Sequence, residues 1–354
     1  MSDESMTSKW NGIVFALGAA LLFGASTPLS KMLLGSVDPW LLAGVLYLGA
    51  GFGLLLVQWI RAALGLPATE ASLKRSDLPW LVVVVLFGGV AGPVLLMLGL
   101  AITDASTASL LLNLEGIATM TIAWVVFREN ADWRLIVGAL SILAGAALLS
   151  WDGAGFQLSW GGLLIATACL SWGIDNNLTR QLSSADQVQI AAIKGIAAGA
   201  VNTGLAFALG ASLPTSGFIA AGAFVGFLGI GVSLVLFMLG LRHLGTARTG
   251  AYFSFAPFIG AVLSVGILGD AISVQLIAAA VLMAAGLWFH LSERHEHEHI
   301  HEAMEHEHRH VHDAHHQHVH DGDATEPHTH WHRHAVIRHK HPHYPDLHHR
   351  HGHG

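Results

Sequence analysis

The chain has 354 residues, of which 53% are hydrophobic and only 12% are charged, so its composition lies outside the range of soluble globular proteins. The formal net charge is −7 at pH 7; residues 291–354 carry −5 of it, and the first 290 residues carry −2. This balance offers no basic surface, so we expect no nucleic-acid partner, and the single cysteine, Cys169, excludes an internal disulfide.

Apolar runs of about twenty residues, the length that a helix needs to cross a bilayer, recur after a short N-terminal segment, residues 1–11. The ten predicted spans cover residues 12–34, 39–60, 78–100, 104–127 and 134–150, and then 160–182, 187–209, 216–241, 246–268 and 272–291. The first run carries no cleavable signal pattern and predicts a retained helix. We therefore predict an all-α integral membrane protein.

The basic residues between these spans follow the positive-inside rule. With the N-terminus inside, the opposite loops hold only Lys31, at a helix end. The cytoplasmic segments hold Lys9, Arg61, Lys74, Arg75, Arg128, Arg134, Arg180, Arg242, Arg248 and Arg294. The pattern predicts a multi-pass protein of the cell (inner) membrane with both termini in the cytoplasm.

The sequence contains an internal repeat. Residues 99–130 align without a gap to residues 240–271, and FGASTPLSK, residues 23–31, matches WGIDNNLTR, residues 172–180. Because each half has five spans, an odd number, the second half inserts upside down relative to the first. Inverted repeats are typical of secondary transporters, which hold their substrate near the midplane between the halves. We predict the repeats over 12–150 and 159–291.

These motifs resemble those of the drug/metabolite transporter superfamily, EamA type. The two FGASTPLSK-like segments, the acids Glu129 and Asp270 that end small-residue helices, and the Gly-containing last helices LAGAALLSW and MAAGLWFH carry the resemblance. It covers roughly residues 10–291 and implies ten helices in two inverted five-helix repeats and a transport activity.

The chain departs from the family pattern in two places. The proline of the fourth helix is present in the second half as Pro257, whereas the first half has Gly116. The base of the second helix is missing from PWLLAGVLYLGAG, where Tyr47 stands nearby.

Glu115 and Lys194 are charged residues that lie well inside predicted spans, where charge is costly and usually faces a cavity or a partner. Glu115, beside Asn113, is a candidate for a proton-coupling or cation-binding carboxylate. The alternative is an acid that is hydrogen-bonded to a neighbouring helix and fixes the packing. Lys194 is the predicted counter-charge in the corresponding membrane layer; its alternative is a lysine that reaches the interface.

The sixth span contains three consecutive polar residues, Asp175, Asn176 and Asn177. Three adjacent residues cannot share one helical face, so at least one is expected to face a cavity. The repeat places them opposite residues 26–28 of the first span, where Pro28 frees a backbone carbonyl. We predict that the two segments form a substrate-binding pair, with helix–helix hydrogen bonding as the alternative.

Other charged residues lie at span ends. Lys31 is a further candidate for substrate or coupling contact, whereas Glu129 and Asp270 close their spans at water and are expected to cap or gate. The sequence shows no catalytic-triad spacing, phosphate loop or cysteine-based zinc site, so we expect no enzyme activity and no required cofactor.

The C-terminal segment 292–354 differs from the rest, because 23 of the 25 histidines lie between His295 and His353. Imidazole and carboxylate groups suit Zn, Ni or Co, and the low apolar content predicts a disordered tail. The alternative is a pH-sensitive polyampholyte. The candidate metal ligands are His295, His297, His299, His301, His306, His308, His310, His312, His315, His316, His318, His320, His328, His330, His332 and His334.

Three functions are compatible with these features. The leading prediction is a secondary transporter that exports a small-molecule metabolite across the lipid bilayer, with a cytoplasmic tail that binds divalent metal ions. The second is a divalent metal (Zn, Ni or Co) exporter whose tail delivers the cargo. The third is a membrane-anchored metal sensor or buffer. The oligomeric state is not predicted.

Overall fold

The computed structural model describes residues 3–65, 77–127, 133–151, 159–179, 186–292, 296–301, 304–310, 328–334 and 337–342. The chain divides into two compact units, Met1–Glu293 and Arg294–Gly354. The first unit is helical and apolar, whereas the described parts of the second are short strands.

The described residues of the first unit form fourteen α-helices. The first half holds α1 (Asp3–Leu34), α2 (Pro39–Ala63), α3 (Leu78–Val84), α4 (Gly92–Ala101), α5 (Ala105–Leu111), α6 (Leu114–Phe127) and α7 (Trp133–Leu149). The second half holds α8 (Trp160–Thr179), α9 (Gln187–Ala208), α10 (Ser216–Gly226), α11 (Ser233–Leu244), α12 (Thr246–Phe253), α13 (Ala256–Leu268) and α14 (Val274–Leu291).

These helices form ten helical segments. The π-helical stretches Val85–Ala91 and Phe227–Val232 join α3 to α4 and α10 to α11, and two-residue breaks separate α5 from α6 and α12 from α13. Eight of the described segments are long and apolar enough to cross a membrane, and Trp133–Leu149 is a shorter apolar helix. With α8 the total agrees with the predicted ten-helix architecture.

The helix boundaries repeat with the offset found in the sequence. Adding 141 to the first residue of α5 and to the last residue of α6 gives the first residue of α12 and the last of α13. The π-helical stretch and the two-residue break also recur at corresponding places. Asp38 and Asp186 start α2 and α9 in the same way, because each carboxylate accepts two backbone N–H groups.

The two halves interleave. α1 of the first half packs against α11 and α13 of the second, and α8 packs in the equivalent way against α4 and α6. α2 and α9 cross through glycines, since a Cβ on Gly51 would come within 2.6 Å of the backbone nitrogen of Ile196. α7 and α14 meet at Gly138 and Gly286. Small residues at these crossings let the backbones approach closely.

The described tail segments are β1 (Glu296–His301), β2 (Met304–His310), β3 (His328–His334) and β4 (Ile337–Pro342). β1 pairs with β4 and β2 with β3, both antiparallel. The sequence predicts disorder for the whole tail, yet these segments are paired; their His-x-His alternation has the period of a strand. For the other tail residues, disorder stays a prediction. The candidate ligands His295, His312, His315, His316, His318 and His320 lie outside the described residues.

Candidate functional site

The polar run of α8 presents its side chains to different neighbours, as three adjacent helical residues must. Asp175 and Asn177 are buried, and Asn176 is exposed. Leu163 and Leu170, on the surface of α8, are also exposed, but Asn176 is rotated about 120–140° from them around the helix axis. Asn176 is therefore exposed on a different side of α8 from these apolar residues.

Asp175 forms an ion pair with Lys194 of α9. Nζ of Lys194 lies 2.5 Å from Oδ2 of Asp175, and the lysine and aspartate side chains are 21% and 6% exposed. Thr179, one turn further along α8, donates its hydroxyl to Oδ1 of Asp175 at 3.2 Å. The sequence predicted Lys194 as the counter-charge of Glu115; in the structure the lysine forms its ion pair with Asp175.

The ion pair lies against the first π-helical stretch. A Cβ on Gly88 would overlap the Asp175 carboxylate, so this position admits only glycine without movement. The Gly88 carbonyl accepts hydrogen bonds from the Tyr47 hydroxyl at 2.7 Å and from Nε1 of Trp172 at 3.1 Å. In the same stretch the Gly89 carbonyl accepts Nδ2 of Asn202 at 3.0 Å. Side chains from both halves therefore hold the irregular backbone.

Glu115 lies at the start of α6, directly after the break, and is half-buried. Its Oε1 accepts a hydrogen bond from Nδ2 of Asn176 at 2.9 Å, and the same amide lies 3.2 Å from the Thr119 hydroxyl. Nδ2 of Asn177 donates to the Thr119 carbonyl at 2.9 Å. Glu115, Thr119, Asp175, Asn176 and Lys194 are called the polar cluster below.

Two of the predicted substrate or coupling residues, Asn113 and Lys31, lie outside the polar cluster. Asn113, in the break between α5 and α6, donates to the Leu110 carbonyl of α5 at 2.8 Å. Lys31 donates to the carbonyls of Leu100 and Thr103 at 2.7 and 2.9 Å, and so stabilises the C-terminal end of α4.

Oδ2 of Asp270 accepts the backbone N–H of Ser106, in the first turn of α5, at 2.8 Å, and its role in capping or gating stays a prediction. Glu129 lies outside the described residues.

The repeat provides an internal comparison for the polar cluster. The position of Asp175 corresponds to Ser26, and the two side chains have similar surroundings. Asp175 lies against Gly88 of the first π-helical stretch, and Ser26 lies against Gly229, the equivalent glycine of the second. The 141-residue offset matches Glu115 and Thr119 to Ala256 and Gly260. Aligning the helix-starting residues Asp186 and Asp38 matches Lys194 to Leu46. The fold therefore makes the same helix contacts in its other half with small or apolar residues and without charge.

The sequence did not indicate Thr119 or Trp172 as site residues. It indicated Tyr47 only as a residue near the position where the family has a basic side chain. The repeat could have identified Thr119, because its counterpart is a glycine. Nothing in the sequence marks Gly88 as an acceptor, since its role depends on the π-helical backbone.

Inverted five-helix repeats around a polar cluster built from both halves define a membrane transporter of the drug/metabolite type. The chain belongs to the EamA-like transporter family, whose model matches residues 10–151 and 159–292. It is thus a multi-pass membrane protein whose family consists of transporters, not enzymes.

Several relatives agree with this assignment. An uncharacterized transporter of Methanothermobacter thermautotrophicus is 27% identical over 80% of this chain and 86% of its own length. The uncharacterized transporter YyaM of Bacillus subtilis is 22% identical, over 78% and 92%. The uncharacterized inner membrane transporter YedA of Escherichia coli is 26% identical, over 77% and 88%. A crystal structure, 19% identical with a TM-score of 0.58, covers 80% of this chain and 95% of that chain and shares the fold.

Proposed function

We propose that the protein exports a small polar metabolite and that the polar cluster contacts it. The proposal rests on the comparison of the two repeats. At the positions equivalent to the charged residues of the cluster, the other repeat has the uncharged residues Ser26, Leu46 and Ala256. Charge inside a membrane span is costly. Since the fold does not require these charges, we attribute them to transport.

The position of the cluster supports the same function. Glu115 and Thr119 come from the first half, and Asp175, Asn176 and Lys194 come from the second. Secondary transporters with inverted repeats bind their substrate at the repeat interface, and one repeat moves against the other during transport. A movement between the halves would change the distance between Glu115 and Asn176.

A metabolite is favoured over a metal ion as the cargo. The Asp175 carboxylate, a group that would serve as a metal ligand, is already paired with Lys194. Among the residues that the structure describes, no group of three or more His, Cys, Asp and Glu is placed to hold a metal ion. A divalent cation at this site would also face the ammonium group of Lys194.

We propose in addition that the histidine-rich tail binds Zn, Ni or Co in the cytoplasm and senses or buffers the metal. The density of imidazole and carboxylate groups in residues 295–353 supports this role. In this proposal the tail modulates transport but supplies no cargo. The topology, with both termini in the cytoplasm of the inner membrane, rests on the distribution of Lys and Arg.

The function can be tested without knowing the substrate. Proteoliposomes loaded with a metabolite extract are sampled outside by mass spectrometry, with the full chain, with a chain that ends at Glu293, and without protein. The proposal predicts that one or a few solutes leave only when protein is present, and that the shortened chain still releases them without metal. Release of Zn or Ni ions alone, abolished by the truncation, would instead support the metal-export hypothesis.

A further inference from the structure

The register of the two tail sheets pairs histidine with histidine. Each histidine of β2 is paired with a histidine of β3, and two of the three histidines of β1 are paired with histidines of β4. Two of these residues, His339 and His341 of β4, were not among the candidate ligands that the sequence indicated. The five pairs are His306–His332, His308–His330, His310–His328, His297–His341 and His299–His339.

Neighbouring histidine pairs have the spacing of a four-ligand metal site. Within each sheet successive pairs are two residues apart, so they occupy the same face of the sheet. Opposite positions of an antiparallel sheet have Cβ atoms about 4.5–5.5 Å apart, and positions two residues apart on one strand are separated by about 7 Å. Zinc binds four ligands, with Zn–N distances of about 2 Å. Two neighbouring pairs can therefore supply four imidazoles to one ion.

The positions between the histidine pairs favour the same register. Glu305 is paired with Arg333 between β2 and β3, and Glu298 is paired with Lys340 between β1 and β4. Opposite charges at paired positions stabilise an antiparallel sheet. The charged positions therefore favour the register in which the histidines are paired.

The composition of the strands offers little that would hold them together without metal. The tail has low apolar content, and a two-stranded sheet is only marginally stable in water. Pairing β2 with β3 also closes a loop over residues 311–327, which costs chain entropy. Protonated histidines at paired positions repel each other. An ion bound to both strands offsets these costs, because metal binding then contributes to folding.

Resting on the proposed metal binding by the tail, we infer that each tail sheet binds one divalent ion of the Zn or Ni class between two neighbouring histidine pairs. The ion completes the site, because among the residues that the structure describes no three potential ligands are already placed around a metal. Strand pairing then depends on metal. The tail senses the ion through this change of conformation, whereas a buffer needs no such change.

The dependence of strand pairing on metal can be measured by hydrogen exchange and mass spectrometry on the purified full chain. Samples without metal and with Zn(II) are compared at about pH 7.5, where imidazole is largely neutral. We expect Zn(II) to slow the exchange of the backbone amides of residues 304–310 and 328–334 several-fold. Mg(II), which prefers oxygen ligands, is the control ion and should leave the exchange unchanged.

Two double variants of the β2–β3 sheet make the test specific, because each removes two histidines. His308→Gln with His330→Gln removes the middle pair, and the remaining pairs are four residues apart along each strand, about 13 Å, too far for one ion. This variant should lose the effect of Zn(II) on β2 and β3. His310→Gln with His328→Gln removes an end pair and leaves two neighbouring pairs, so it should keep the effect.

No slowing of exchange by Zn(II) in the full chain, or an equal or reversed effect of the two variants, would overturn the inference. The proposed function fails separately: calorimetry on the full chain and on a chain that ends at Glu293 tests whether the tail binds metal at all, and the proteoliposome experiment tests transport. Zinc bound by the tail with equal effects of both variants would mean a flexible tail with interchangeable ligands.

Discussion

Lys194 and Asp175 are joined across α8 and α9 by an ion pair with a 2.5 Å contact, whereas the equivalent positions, Leu46 and Ser26, are neutral. The Asp175 carboxylate also lies against Gly88 of the first π-helical stretch. Gly88, Asp175 and Lys194 therefore form one packed unit. The stability of this unit and its role in transport can be separated by mutation.

The ion pair should show strong coupling in stability. Asp175→Ser or Lys194→Leu alone leaves one charge without its partner and should cost about 2–4 kcal/mol, less than for a fully buried pair because Lys194 is partly exposed. The double variant should be nearly as stable as the original protein, because the other repeat packs with serine and leucine, Ser26 and Leu46, at the equivalent positions. Thermal unfolding in detergent measures all three. Additive losses in the double variant would contradict the coupling.

Gly88 should tolerate no side chain. Gly88→Ala places a Cβ against the Asp175 carboxylate, so we expect the ion pair to break and the stability to fall by about 1–3 kcal/mol. Gly116→Ala is the matched control, because Gly116 also lies in a membrane segment but a Cβ there would meet nothing within 4 Å. If both variants unfold at the same temperature as the original protein, the contact at Gly88 does not constrain the fold.

Glu115→Gln should impair transport more than folding. The amide keeps the shape of the side chain and can keep the contact to Asn176, but it cannot ionise. Transport in proteoliposomes should fall at least about tenfold, the effect of losing one interaction of about 1.4 kcal/mol in the transition state. The unfolding temperature should stay close to that of the original protein. Unchanged transport and pH dependence would assign Glu115 to helix packing.

The tail should bind metal more tightly as pH rises. Metal must displace protons from imidazoles whose unperturbed pKa is about 6.5, so affinity should increase between roughly pH 5.5 and 7.5. Calorimetry with Zn(II) or Ni(II) should show several ions per full chain, and a chain that ends at Glu293 should lose them. An equal heat from both chains would place metal binding outside the tail.

The distribution of Lys and Arg predicts that both termini lie in the cytoplasm. A reporter enzyme fused after Gly354 should be active in its cytoplasmic form, and one inserted at Asp152, between the halves, should be active in its extracytoplasmic form. If both reporters give the opposite result, the protein has the inverted orientation in the membrane. If both reporters lie on the same side, each half cannot have an odd number of spans.

Hydropathy and the repeat predicted the helices well, since the bounds of α5, α6, α12 and α13 follow from the 141-residue offset. They could not predict the break after Leu111 or the π-helical turns, because the apolar runs continue through them. The sequence also did not indicate that Lys194 pairs with Asp175, because an ion pair depends on how the neighbouring helices are rotated about their axes. The tail strands have the His-x-His alternation that is typical of a strand. The low apolar content of the tail predicted disorder and gave no indication of this pairing.

The account depends most on the claim that the charges of the polar cluster serve transport rather than packing. The triple variant Glu115→Ala, Asp175→Ser and Lys194→Leu copies the residues that the other half has at the equivalent positions. In proteoliposomes loaded with metabolite extract, it should retain the helix content and oligomeric size of the original protein but release none of its solutes. Release of the same solutes at the same rate by a folded triple variant would contradict the account.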